Sequence, residues 1–529
     1  MEHTQKWVLL LVILFIVSAL SAQWTDVSWG PVYKKDSGLF SGYRFIDIDD
    51  DGYYVLHEDN NGQTIVHYDL NHRIVSVNAL MLRSPFQPLL IQDIVRTKAG
   101  IFLILHYLDD RSKEWIMMAS PFIEGEFRDP FQIYAQRHKL KPVDLRRAYE
   151  QFENAQADGM LVSEDSTKVA FLHILPGQDY KKDEYITVAV FDENLKLEWQ
   201  STHFYKFSKK EFEITQSEVS SDGKVFMVGW THKKRSGSKR GSRSEEYLPD
   251  FEYKLYEIRE GEIIQDIVNI GDRVAPLDVA LFFPDPKKSD FLLTGFYTDD
   301  NHKTRQKGLF FAKGHPDVGL LSSQITEFKA RDLKNLVSDR AISKGKGLDL
   351  SYDINQLLRF DNGTLGFVAE KNYVSYTNNN DYYNPYYGYY NSFYGPNYRE
   401  PLFHTDDILI PVFDTEGNIM TIHKVEKDFT SSHRSRTSYA FAQANGSTFL
   451  IFNDRKSKDE RKSANRRGSR FTDILRIGPS GLIADRSTLF TNVELDLDFV
   501  TSNFANNDDT IIISSESNRR FAFGLMLLN

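Results

Sequence analysis

The chain has no cysteine. That excludes a disulfide scaffold, a cysteine-ligated zinc site, a thiol nucleophile and a lipid anchor on a cysteine. Long apolar runs are scarce. The run from Val8 to Val17 falls short of the roughly 20 residues that span a bilayer, and no later segment is long and apolar enough to cross one. Motifs of familiar chemistry are missing: no G-x-S-x-G, no H-E-x-x-H, no P-loop, no glycine-rich dinucleotide fingerprint. A basic bias is missing too. The formal net charge of −10 argues against a nucleic-acid binder, which would carry a basic domain. Helical periodicity is confined to two short stretches, Val143 to Phe152 and Asp332 to Ile342.

What is present begins with a targeting signal. Lys6, the apolar run and the small residues Ser18 to Ala22 read as a signal peptide over 1–22, cleaved after Ala22. An uncleaved signal anchor is the alternative. The chain is expected to be exported, to a periplasmic or extracellular location, with outer-membrane association through a partner as a further option.

The rest is dominated by one hairpin recipe: an apolar strand, a polar turn of three to five residues, and a second apolar strand. It occurs in VHYDLNHRIVSV around Asp69, VAVFDENLKLEW around Asp192, YKLYEIREGEIIQDI around Arg259, IPVFDTEGNIMTI around Asp414 and ILRIGPSGLIADR around Gly478. A second hairpin type recurs eight times, as in VSSDGKVFMVGW from Val219 and AQANGSTFLIFND from Ala442. Turns rich in Asp, Asn and Gly between apolar runs are strand-turn-strand chemistry. Two alternating hairpins, repeated along the chain, predict an all-β fold: a β-propeller of eight four-stranded blades, with seven as the alternative. The last unit shows only three strands. WTDVSWGPVYKKDSGLF from Trp24 is expected to supply the fourth, so that N- and C-terminal strands close one blade.

The domain reading is therefore one propeller over 23–529, with insertions at 232–248, 329–347, 373–403 and 455–470. The first and last are basic and rich in Gly or Ser, and are either a contact for acidic partners or solvated loops. The third is rich in Tyr, Asn and Gly. Its Tyr386, Tyr387, Tyr389 and Tyr390 offer flat faces with hydroxyl tips, suited to proteins or sugar rings, against the alternative of a low-complexity loop. Asp47, Asp49 and Asp51 with Gly52 and Glu58 satisfy the spacing of a calcium loop. A strand follows at once, so the readings are a plain acidic turn, a structural calcium loop or, least in keeping with the context, an EF-hand. His67 and His72 flank a turn and are expected at the surface.

From about Arg331 to Asp454 the order of segments resembles an uncharacterised family of exported bacterial proteins with propeller-like repeats. Glu370-Lys-Asn-Tyr373 and Phe452-Asn-Asp454 carry most of the resemblance. It implies an envelope location and no particular activity. The function expected is a non-catalytic binding or scaffold role at the cell envelope, with an envelope protein or glycan as partner and no cofactor beyond a structural calcium. The alternative is a carbohydrate-active hydrolase or lyase with an acidic site at the propeller channel.

Overall fold

A computed structural model of the chain describes residues 27–34, 42–59, 62–80, 89–109, 111–137, 159–176, 184–205, 212–232, 251–285, 287–299, 305–334, 336–344, 347–349, 352–376, 401–414, 416–455, 470–491, 497–507, 510–517 and 520–528. Most of these lie in strands, and the strands form the eight antiparallel blades of a β-propeller. Blade 1 comprises Gly42–Ile48, Gly52–Asp59, Gly62–Asp69 and Ile74–Ala79. Blade 2 comprises Leu90–Thr97, Gly100–Asp109, Glu114–Ile123 and Phe131–Arg137. Blade 3 runs from Gly159–Val162 to Leu197–Tyr205, blade 4 from Phe212–Val219 to Glu262–Ile267, and blade 5 from Val274–Phe282 to Gly319–Glu327. Blade 6 comprises Tyr352–Arg359, Leu365–Tyr376, Pro401–Phe413 and Ile419–Val425, with Phe429–Ser431 also pairing on Pro401–Phe413. Blade 7 runs from Tyr439–Ala444 to Ile483–Thr491. Blade 8 comprises Asp498–Asn506, Thr510–Glu516 and Arg520–Leu527, completed by Val27–Trp29.

By packing, the chain divides into two compact units. One comprises Met1–Ala79, Phe360–Ile410 and His423–Asn529, the other Leu80–Arg359 and Pro411–Ile422. In each, the second and third strands of the blades are apolar on both faces, because blades pack face to face within the unit. In blade 4, Val225, Phe226, Met227 and Val228 are all fully buried. Each such side chain contributes about 1.5–3 kcal/mol by leaving water. Fourth strands have one neighbour and one open edge, so Ile74, Val75 and Val77 remain exposed.

Asp69, Asp192 and Asp414 close the hairpins between third and fourth strands in the same way. The carboxylate Oδ1 accepts backbone N–H bonds from the residues two and four positions on: Asn71 and Arg73 (2.9 and 2.8 Å), Asn194 and Lys196 (both 2.9 Å), Glu416 and Asn418 (3.0 and 2.8 Å). The residue between those two has a positive φ, 60° at His72, 60° at Leu195 and 87° at Gly417. Three of the five recurring hairpins thus share one turn geometry, set by a local aspartate.

Polar side chains also stitch first strands together within the second unit. Gln216 of blade 4, beside a bulge, accepts from Leu281 N (2.7 Å) and donates to Leu281 O (2.8 Å) of blade 5. Asp278, beside a bulge in blade 5, accepts from Ile354 N at 2.8 Å. Burial pushes the Asp278 carboxyl up to about 7, with Asp353 adding to it, while the N–H bonds from Ile354 and Val279 oppose the shift.

The expected terminal closure is present. Val27, Ser28 and Trp29 pair with Met526, Leu525 and Gly524, and Tyr33 and Lys34 pair with Phe521 and Arg520. His72 holds this strand, which corrects its expected surface position: it is 4% exposed. Its Nε2–H donates to Ser28 O (2.7 Å), which leaves Nδ1 to accept from the Tyr53 hydroxyl (2.7 Å). Burial accordingly lowers its pKa. The helix expected over Asp332 to Ile342 is two short ones, Ala330–Leu333 and Asp339–Ser343. Asp332 caps the first by accepting from Lys329 N at 2.8 Å, which fixes its start two residues earlier than the periodicity suggested. The stretch Val143 to Phe152 lies outside the described residues, as do residues 1–22. No helix among the described residues is long and apolar enough to cross a membrane.

Candidate functional site: the end of blades 6 and 7

The segment Lys427-Asp428-Phe429-Thr430-Ser431, whose last three residues form a strand, alternates strictly. Lys427, Phe429 and Ser431 are buried, Asp428 is exposed and Thr430 part-exposed. A β-strand with period two presents one face to the core and one to water. Its pairing with blade 6 sets Thr430 opposite His404 and Phe429 opposite Thr405.

The buried face carries a fully enclosed ion pair. The Lys427 ammonium meets Glu370 Oε1, with both side chains 0% exposed, and also donates to Ser438 O at 2.7 Å. Burial lowers the Lys427 pKa, opposed by Glu370 and more weakly by Asp454. Asp454 binds the same segment: it accepts from Asp428 N (2.9 Å), Arg455 N (2.7 Å) and Arg486 Nη2 (2.7 Å). Arg486 continues to Asp473 through Nε (2.7 Å) and to Glu426 O through Nη1 (2.7 Å). Asn453 spends its whole amide. Nδ2 donates to Arg436 O and Phe499 O, and Oδ1 accepts from Phe499 N and Thr472 Oγ1, all at 2.7–3.1 Å. The two short segments that stood out in the sequence, Glu370 to Tyr373 and Phe452 to Asp454, therefore meet here, around a lysine that sequence reasoning had not singled out. The one signal available was an isolated Lys in an alternating strand.

The opposite face is open to solvent. Lys371, Tyr373 and Ser375 alternate with Glu370 and Asn372, so they share a side of their strand. Tyr373 is 45% exposed, and its ring stacks on His404 with centroids 4.4 Å apart and an angle of 2°. His404 is held at both nitrogens, by Ser375 Oγ (2.7 Å) and Thr430 Oγ1 (3.0 Å). Lys371 Nζ lies 3.6 Å from Asp406. The Asp406 carboxyl is pushed up by burial, which outweighs Lys371, with Asp428 and Asp407 adding to the shift. The Tyr373 hydroxyl is raised by burial, with Asp406 and Asp428 adding to the shift. At the neighbouring strand end, Arg455 donates from Nη2 to Thr430 O (2.9 Å), and the guanidinium groups of Arg455 and Arg470 each lie 5.8 Å from the Phe429 ring centre.

Tyr376 and Pro401 bound the Tyr-rich segment, and Arg455 and Arg470 bound the second basic one. Both segments run from the second to the third strand of their blade, and Thr430 touches the root of each, through His404 and through Arg455. Tyr386, Tyr387, Tyr389 and Tyr390 lie outside the described residues, as do most of the two basic stretches.

The acidic turn is elsewhere, in blade 1. Asp49 Oδ1 accepts from Asp51 N (3.0 Å) and Gly52 N (2.8 Å), and these two bonds account for the turn's shape. Gly52 is required by close approach: a Cβ there would sit 1.9 Å from Tyr68 O. Glu58 pairs with Gly42 towards the far end of the strand, about 20 Å along from Gly52 at the usual rise. It is too distant to join Asp47, Asp49 and Asp51, so the EF-hand reading fails. Among the described residues no three His, Cys, Asp or Glu side chains cluster as a metal site.

No protein-family model matches the chain, and no curated protein matches it in sequence. Among solved structures it is similar to the WD40 domain of SCAP from fission yeast, at 8% identity over 94% of this chain and 98% of that one, with a TM-score of 0.36. The β-propeller domain of the Trilobed protease from Pyrococcus furiosus is matched at 9% identity over 87% and 98%, with a TM-score of 0.34. A puromycin-hydrolyzing peptidase of Mycobacterium tuberculosis is matched at 10% identity over 90% of this chain and 57% of its own, with a TM-score of 0.36. The propeller assignment follows from the sheets described above and takes nothing from these distant likenesses.

Proposed function

We propose that the protein is an exported, non-catalytic binding or scaffold protein of the cell envelope, and that it engages an envelope protein or glycan at the end of blades 6 and 7. The observation that carries this reading is the strand Phe429–Ser431, which touches the roots of both compositionally unusual segments. The ionisable groups beneath them suit support better than turnover. Lys427 and Glu370 have no exposed surface, and Arg486 is tied to Asp454, Asp473 and Glu426. The test is an affinity pull-down of the tagged mature chain from crosslinked envelope extract, read by mass spectrometry. A stoichiometric partner that is lost when residues 377–400 are deleted supports the reading; a partner indifferent to that deletion sinks it.

The second reading, a carbohydrate-active hydrolase or lyase, is favoured by one observation. Asp278 has a carboxyl pushed up to about 7, as a general acid requires. Glycan turnover that Asp278→Asn abolishes without unfolding the protein would replace the first reading. A structural calcium at Asp47, Asp49 and Asp51 would appear as a calcium-dependent rise in Tm that Asp49→Ala removes.

A further inference from the structure

Resting on the binding reading above, we infer that the open face of blade 6, built on Tyr373, Lys371 and Asp406, is a subsite for a neutral saccharide. A sugar ring presents two surfaces: axial C–H groups that pack on a flat aromatic face, and an equatorial rim of hydroxyls that each donate and accept. The face of blade 6 offers counterparts to both. The Tyr373 ring has one side on His404 and is 45% exposed. Its plane is fixed from behind, because His404 is bonded at both ring nitrogens. A platform held in this way loses little freedom when a ligand settles on it. Beside it, Lys371 and Asp406 stand 3.6 Å apart, with side chains 28% and 25% exposed. The ammonium only donates and the carboxylate only accepts, so together they serve both halves of a hydroxyl.

The same pair decides between ligand classes. A cationic side chain would be drawn to Asp406 but would meet the Lys371 charge, which is already on Asp406. An anionic ligand would be drawn to Lys371 but would meet the Asp406 carboxylate beside it. A neutral polyhydroxyl ligand conflicts with neither. The exposed Tyr373 face is long enough for a single ring, so binding will be weak for one sugar and gain from repetition along a chain.

The experiment uses the full mature protein and a panel of neutral hexasaccharides of glucose, mannose, xylose and N-acetylglucosamine, followed by saturation-transfer NMR and calorimetry, with a decalysine peptide as the charged control. At least one saccharide is expected to bind in the millimolar range or tighter. Tyr373→Ala should weaken it by at least about tenfold with Tm unchanged, and Asp406→Asn by a few-fold. Tyr373→Phe, which keeps the ring, should retain it. The inference is overturned if no saccharide binds at about 10 mM, if binding survives Tyr373→Ala, or if decalysine binds in place of the sugars. Should the sugars fail while the pull-down still yields a protein lost on deleting 377–400, the saccharide assignment falls and the scaffold reading stands.

Discussion

At the scale of single residues, two buried charges set measurable energetics. Asp278 has its pKa raised in the folded chain, to about 7 from an ordinary 3.8. The folded state then binds more protons than the unfolded state between those values, so its stability falls as pH rises from about 4 to about 7. Asp278→Asn keeps an acceptor for Ile354 N and removes the charge. We expect its stability to exceed that of the wild type at pH 8, by on the order of 4 kcal/mol, and the two to converge near pH 4. Urea titrations across that range check this; an unchanged pH profile would refute it. The pair Lys427–Glu370 makes the opposite point. Removing one member strands the other in a site with no exposed surface. Lys427→Met should cost about 3–5 kcal/mol, and adding Glu370→Leu should recover much of that, as a double-mutant cycle will read.

At the scale of elements, the hairpins were legible because their cause is local. Asp69, Asp192 and Asp414 each bond to amides two and four residues on, so five residues of sequence contain the whole turn. The same locality made the eight two-strand units readable. The candidate site was not legible, because its central contact joins Glu370 to Lys427, 57 residues apart, across a segment that sequence reasoning treated as an insertion. Position alone also misjudged His72. Its turn looked exposed, but the strand that covers it comes from 44 residues upstream, at Ser28. That covering strand gives an element-scale prediction. A Cβ at Gly524 would lie 2.6 Å from Val27 Cγ1 and 3.0 Å from the Trp29 ring. Gly524→Ala should loosen Val27–Trp29 and cost about 1–3 kcal/mol. Hydrogen exchange should rise at residues 27–29 and leave Ile511–Ile513 protected; uniform loss of protection would mean a wider collapse.

At the scale of the molecule, blade 8 is assembled from both ends of the sequence. Trp29 crosses onto Phe490 of blade 7 with ring centres 4.8 Å apart, so the first strand supports more than its own sheet. Deleting residues 23–34 should lower Tm and leave Arg520–Leu527 as an open edge, with dimers or larger species seen by light scattering. A monomer of unchanged Tm would show that the strand is ornamental. The pairing also dictates an order of events. Val27–Trp29 is made before every blade it will touch, and its partner Gly524–Met526 is made after them. The contact that closes blade 8 is among the most distant in sequence, and contacts of that kind are slow to form. Until it forms, two complementary edges are open to any extended chain nearby, including the same strand of a second copy.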